Sequence, residues 1–338
     1  MKAARWIGKG KIELFEKEKP LINDDEILLK VKVIGICGTD IHIIDEKIAI
    51  KSPPLILGHE FSGEIVEIGR NVKGVKVGDS VAVESFIGCG YCYYCRKGYL
   101  HMCLNGGEMG ITLDGGWQEY INVPYLNVHK LPNNMSFEQG AMVEMVSCPF
   151  GAIARTNIQI GDDVLVLGSG PAGLIFVQLA KLKGARKIIL VGTRKERQLL
   201  GKEYGAEYLI DANDNVVEKV KQITDGIGVD VSIEAVGSEK TIKQAISCTR
   251  NMGKILVYGI IGKDVEKFPV DELVFKAIKI IGHQSSPGVW EETIKTIASG
   301  EINVDKMITH KFYFDEIDKA IKYSRDRIDG AIKVLLYF

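Results

Sequence analysis

Four of the chain's seven cysteines, Cys89, Cys92, Cys95 and Cys103, fall within fifteen residues in the spacing C-x2-C-x2-C-x7-C. Four thiolates so spaced suit a tetrahedral Zn2+ wrapped by one short lobe, about residues 86–104. Such a site has no open coordination position, so its metal would hold structure and perform no chemistry. Disulfides are the competing use of the same thiols. They fit poorly, because the stretch Met1-Lys-Ala-Ala-Arg5 lacks the apolar core of a secretory leader and a cytoplasmic location is expected.

A second set of possible ligands is more dispersed. Cys37-Gly-Thr39-Asp40-Ile-His42 precedes Gly58-His59-Glu60. Singly, a buried thiol or a core imidazole is ordinary. Together Cys37 and His59 offer zinc a soft thiolate and an imidazole, with Glu60 or Glu144 as an oxygen ligand. Three protein ligands would leave a position for water or a substrate oxygen.

A third motif, Gly168-Ser-Gly170-Pro171-Ala172-Gly173, sits between an apolar run and a helical pattern. Glycines there permit a tight turn, close approach of the backbone to a pyrophosphate, and close packing of helix on strand. An NAD site normally carries Asp or Glu on the next strand. Here that strand runs into Gly192-Thr193-Arg194-Lys195, which removes the anion and supplies donors and positive charge. The 2′-phosphate of NADP(H) suits that chemistry, with NAD(H) as the alternative. A basic helix start on a solvated face is the plainer reading of the same residues, and Arg197 is a weaker candidate.

These groups need a scaffold, and 338 residues suffice for two domains. Residues 27–34 alternate, Leu29, Val31 and Val33 against Lys30 and Lys32, as a half-buried strand does. Further short strands at 61–68 and 77–83, punctuated by glycine, suggest a barrel or distorted sandwich. Beyond about residue 160 the rhythm changes to alternating apolar strands (163–167, 187–191, 208–210, 229–234, 254–258, 278–282) and helices (171–183, 195–204, 214–224, 239–249). That predicts a parallel sheet covered on both faces, of the kind that binds dinucleotides. A helix at 289–299 and a strand at 331–336 follow.

Composition excludes other classes. A net charge of −1 gives no basic footprint for nucleic acid or an anionic membrane surface. The uncharged run 164–180 is too short for a membrane span and is broken by Gly168, Gly170, Pro171 and Gly173.

In order and spacing, Cys37 to His42, Gly58-His59-Glu60, the four-cysteine lobe, Glu144 and the glycine motif resemble the zinc-containing medium-chain alcohol and polyol dehydrogenases, over essentially the whole chain. The resemblance implies a GroES-like β-barrel catalytic domain (1–145 and 284–338) around an inserted Rossmann domain (146–283), with two zinc ions per chain. It implies that Cys37 and His59 bind the catalytic zinc. Glu144 stands where alcohol dehydrogenases have a cysteine ligand, as in the sorbitol and threonine dehydrogenase branches, and Glu60 competes with it. Asp40 would orient His59, Thr39 would touch the substrate oxygen, and His42 would pass its proton to solvent. Many branches carry Pro after the glutamate, where this chain has Met145. Cys148 and Cys248 match no ligand position and are read as buried small hydrophobes.

The activity so implied is reversible oxidation of a secondary alcohol or polyol with hydride transfer to NADP+, in a homotetramer or otherwise a homodimer. Two alternatives stand beside it. A threonine-type amino-alcohol dehydrogenase is suggested by Ala82-Val-Glu84-Ser and Ile308-Thr-His310-Lys. A non-catalytic cofactor-binding member should have lost a ligand or relay residue, and none is missing. Pocket walls are expected from Ser85, Phe86 and the loop 107–111.

Overall fold

The computed structural model describes residues 1–48, 52–286 and 288–338. It divides into two compact units. One comprises Met1–Met145, Pro287–Gly300 and Val304–Phe338, the other Val146–Ser286 and Glu301–Asn303.

The first unit is built on the strand Glu26–Ile36. Leu29, Val31 and Val33 are buried, while Lys30 and Lys32 keep partial exposure, the alternation read from the sequence. One edge of this strand pairs antiparallel with Glu60–Ile68. The other is shared by Tyr120–Pro124 and Lys333–Tyr337, both antiparallel. Ser80–Val83 and Val128–Lys130 extend the sheet on one side, and Ile308–Tyr313 extends it on the other. Phe61 and Trp117 are fully buried in the core beneath it. The strand expected over 77–83 begins only at Ser80. Gly78, at φ +90°, turns the chain there, and its amide donates to the Ile65 carbonyl.

The second unit is a six-stranded parallel sheet. Its spatial order is Tyr208–Asp211, Lys187–Gly192, Asp163–Leu167, Val229–Glu234, Thr249–Val257, Lys279–Gly282. Counted along the chain this is 3-2-1-4-5-6, the Rossmann order, whose switch point lies between Asp163–Leu167 and Val229–Glu234. Both central strands are almost wholly buried, but only Asp163–Leu167 reads as an apolar run, since Val229–Glu234 alternates with Asp230, Ser232 and Glu234. The run 164–180 is split between strand, turn and helix. Among the described residues no helix is long and apolar enough to cross a membrane.

Candidate active site

Cys37 directly follows the long strand and caps the short helix Gly38–Ile44. Its amide donates to Asp40 Oδ2 at 2.8 Å, which fixes both residues. His59 directly precedes the adjacent strand and Glu60 opens it, opposite Gly35. Ligand atoms of Cys37, His59 and Glu60 consequently lie within 4.8 Å of one another. A thiolate, an imidazole and a carboxylate converging with two of the three residues buried is a donor set that fits zinc. Asp40, fully buried, sets Oδ1 3.5 Å from His59 Nδ1, close enough to hold the ring by charge. Burial alone would lower the His59 pKa. Cys37 and Asp40 outweigh it and raise the pKa well above the ordinary value.

Glu144 stands in the first turn of the helix Val143–Ala154, buried, outside this three-residue set. Its charge is nonetheless felt by Lys333 and Glu108. Thr39 and His42 are one turn apart on the helix Gly38–Ile44, Thr39 half-buried and His42 exposed.

Glu60 has a partner that sequence reasoning missed. Lys333 Nζ contacts Glu60 Oε2, and both side chains are nearly inaccessible, at 3% and 1%. Burial would lower the lysine's pKa, but Glu60 and then Cys37 raise it. A side chain at Gly35 would run into both partners. The available signal was a single charge in the apolar run Ala331-Ile-Lys333-Val-Leu-Leu336.

In the cysteine lobe, Cys89 and Cys95 sulfurs are 4.0 Å apart and those of Cys92 and Cys103 3.9 Å apart. An S–S bond is about 2.0 Å long. The edge of a ZnS4 tetrahedron with bonds of about 2.3 Å is close to the observed spacing. The fit favours a metal over two bridges. Amides of Cys95 and Leu104 pull the Cys92 thiol down to about 6, while burial pushes its neighbour Cys95 up to about 12. Cys248 is buried, and burial pushes its thiol up to about 12. Cys148, expected to be buried, is only half so.

In the second unit, Gly168 takes φ +114° and a Cβ at Gly173 would strike its carbonyl, so helix and loop touch. Gly170 faces open space, leaving room for a ligand, and caps the helix Pro171–Leu182 with Pro171 at its first position and Ala172 next. Gly192 ends the neighbouring strand against Ser169, and a Cβ there would collide with the Ser169 side chain. Thr193 and Lys195 are exposed, Arg194 is half-buried and Arg197 is buried.

Residues 23–133 match the alcohol dehydrogenase GroES-like domain and residues 171–299 match the zinc-binding dehydrogenase domain. Sorbitol dehydrogenase of Halalkalibacterium halodurans is 35% identical over 97% of this chain and 96% of its own length. L-threonine 3-dehydrogenase of Pyrococcus horikoshii is 36% identical, over 96% and 95%. A protein of Sinorhizobium meliloti 1021, described as a zinc-binding dehydrogenase and solved bound to NADP, superposes with a TM-score of 0.93 at 32% identity, covering 100% of this chain and 99% of its own. The chain therefore belongs to the zinc-containing medium-chain alcohol and polyol dehydrogenases, and it is an enzyme of that family.

Proposed function

We propose that this enzyme reversibly oxidises a secondary alcohol or polyol to the ketone, with NADP+ preferred over NAD+ as hydride acceptor. The observation that carries the reading is the convergence of Cys37, His59 and Glu60 with Asp40 behind them. Zinc held by Cys37, His59 and either Glu60 or Glu144 would supply a Lewis acid for the substrate oxygen. Asp40 fixes the imidazole of His59. Thr39 Oγ1 accepts the substrate's hydroxyl proton in a hydrogen bond, and His42, exposed one turn away, carries a proton to solvent. The glycine motif binds pyrophosphate at the helix start, and the 2′-phosphate lies toward Thr193, Arg194 and Lys195. A second zinc sits in the cysteine lobe, which requires reduced thiols and so accords with the cytoplasm.

A threonine-type activity is the second reading, favoured by the Pyrococcus relative's name. Self-association is supported by the edge strand Lys279–Gly282, beside which Val274 and Phe275 are 70% and 85% exposed. A tetramer, or otherwise a dimer, is proposed.

The test is kcat/KM with NADP+ and NAD+ side by side over secondary alcohols, polyols and L-threonine, with zinc measured by elemental analysis. One charge-assisted hydrogen bond is worth about 1.5–3 kcal/mol, so a preference of roughly ten-fold or more for NADP+ is expected. A clear NAD+ preference refutes the cofactor assignment, and one zinc or none refutes the two-site assignment. Glu144→Ala should lower both turnover and metal retention if Glu144 joins the catalytic set.

A further inference from the structure

One carboxylate near the candidate metal set has no role in the scheme above. Glu108 ends the two-residue strand Gly107–Glu108, opposite Phe86. Its backbone is pinned on both sides. The amide donates to Thr112 Oγ1 at 2.8 Å, and the carbonyl accepts from the amides of Thr112 and Leu113 at 2.9 and 3.0 Å. Two residues on, Gly110 presses on Gly58 so closely that a Cβ would lie 2.6 Å from the Gly58 carbonyl. Gly58 directly precedes His59, so this loop is docked on the segment that presents a candidate ligand. The Glu108 side chain is half-buried. Ser85 Oγ, on a residue only 1% exposed, donates to Oε1 at 3.2 Å. The described residues offer Oε2 no donor. Burial and then Glu144 push the Glu108 carboxyl up, with a smaller push from Asp40 and a pull downward from His59 and Ser85, leaving it at about 7.

We propose that Glu108 is a specificity-determining residue of the alcohol site: its free Oε2 accepts a hydrogen bond from a second donor on the substrate, beside the carbon that is oxidised. The proposal rests on the dehydrogenase reading above. A simple secondary alcohol would cover Oε2 without replacing the water it displaces, which penalises that substrate. A hydroxyl or ammonium group at the adjacent carbon restores the bond. A carboxylate or phosphate there meets Glu108 and the charges of Glu144 and Asp40, and is repelled.

The experiment compares kcat/KM for butane-2,3-diol, 1-aminopropan-2-ol, butan-2-ol and 3-hydroxybutanoate in the wild type, Glu108→Gln and Glu108→Leu, with zinc content and Tm of each protein recorded. Those two readings separate lost recognition from lost metal or lost fold. The wild type should favour at least one of the two donor-bearing substrates over butan-2-ol by roughly ten-fold or more, and which of the two wins identifies the donor. Glu108→Leu should bring that ratio within about three-fold, mainly through KM. Glu108→Gln should keep part of the preference and gain activity on 3-hydroxybutanoate. Equal ratios in all three proteins, at equal zinc content, would overturn the proposal while leaving the dehydrogenase reading intact. No turnover of any substrate with either cofactor would overturn the dehydrogenase reading, and this inference with it.

Discussion

Lys333 brings a full charge into a strand whose neighbours Val334, Leu335 and Leu336 are buried, and Glu60 is what makes that tolerable. Removing one member of a buried pair leaves the other uncompensated, at a cost of about 3–5 kcal/mol. Lys333→Met should therefore lower the unfolding free energy by about that much in urea titrations. Adding Glu60→Gln should recover a large part of the loss. With Glu60→Gln measured alone as well, simple addition of the two single losses in the double variant would show that the pair is not coupled. Because Lys333 engages Oε2, a metal at Cys37 and His59 has chiefly the other Glu60 oxygen available. The residues at the end of the second parallel strand lead to a different expectation. Gly192→Asp is the obvious substitution for turning an NADP site toward NAD, but its Cβ would meet Ser169. Alone it should impair both cofactors. Combined with Ser169→Gly it should shift kcat/KM toward NAD+, and Arg194→Ala should weaken NADP+ more than NAD+. Cys37, His59 and Glu60 could be named as candidate ligands from the sequence because a thiol, an imidazole and a carboxylate together suit zinc, and the fold brings the three together. The pairing of Glu60 with Lys333 was not legible there, since no local pattern links positions so far apart.

The helix Trp290–Ala298 meets the strand Val128–Lys130 through one histidine. His129 stacks on Trp290 at 5.0 Å between ring centroids, with Glu84 at 3.2 Å from Nε2 and Glu291 at 3.2 Å from Nδ1. Burial alone would lower its pKa, but the two carboxylates outweigh that and raise it. A raised folded-state pKa means the clasp contributes fully below the unfolded histidine value of about 6.5. The contribution is lost as pH rises through the higher folded value. His129→Gln should thus lower Tm more at pH 6 than at pH 9 in paired melts, and an equal loss at both would exclude the ionic contribution. The alternating strands and helices of the second unit were readable because short, β-branched and mostly apolar segments such as Asp163–Leu167 and Lys187–Gly192 alternate with segments of helical period. Phe86–Ile87 and Gly107–Glu108 escaped notice as strands, because two residues are too few to establish any period. The side of the sheet taken by Lys333–Tyr337 was equally hidden, since partners are chosen by pairing across a long separation.

At the scale of the molecule, the exposed face beside Lys279–Gly282 makes the assembly testable. Phe275→Asp should move the protein to a smaller species in size-exclusion chromatography with light scattering if two copies meet there. An unchanged mass would send the search for the interface elsewhere. The first unit is also discontinuous in the chain, since the strand Lys333–Tyr337 closes an edge of Glu26–Ile36. The order of synthesis follows from that arrangement. At roughly 5–20 residues per second, the stretch between positions 145 and 333 takes a ribosome roughly 10–40 s to make. Through that interval Cys37, His59 and Glu60 already exist, but part of the sheet edge beside them is open and Glu60 lacks its lysine. The parallel-sheet unit has almost all of its residues once position 286 is made, before Lys333 exists. A nascent chain of this protein therefore acquires a foldable dinucleotide-binding half before a finished metal-binding half, and the open strand edge is where it is most exposed to mispairing in between.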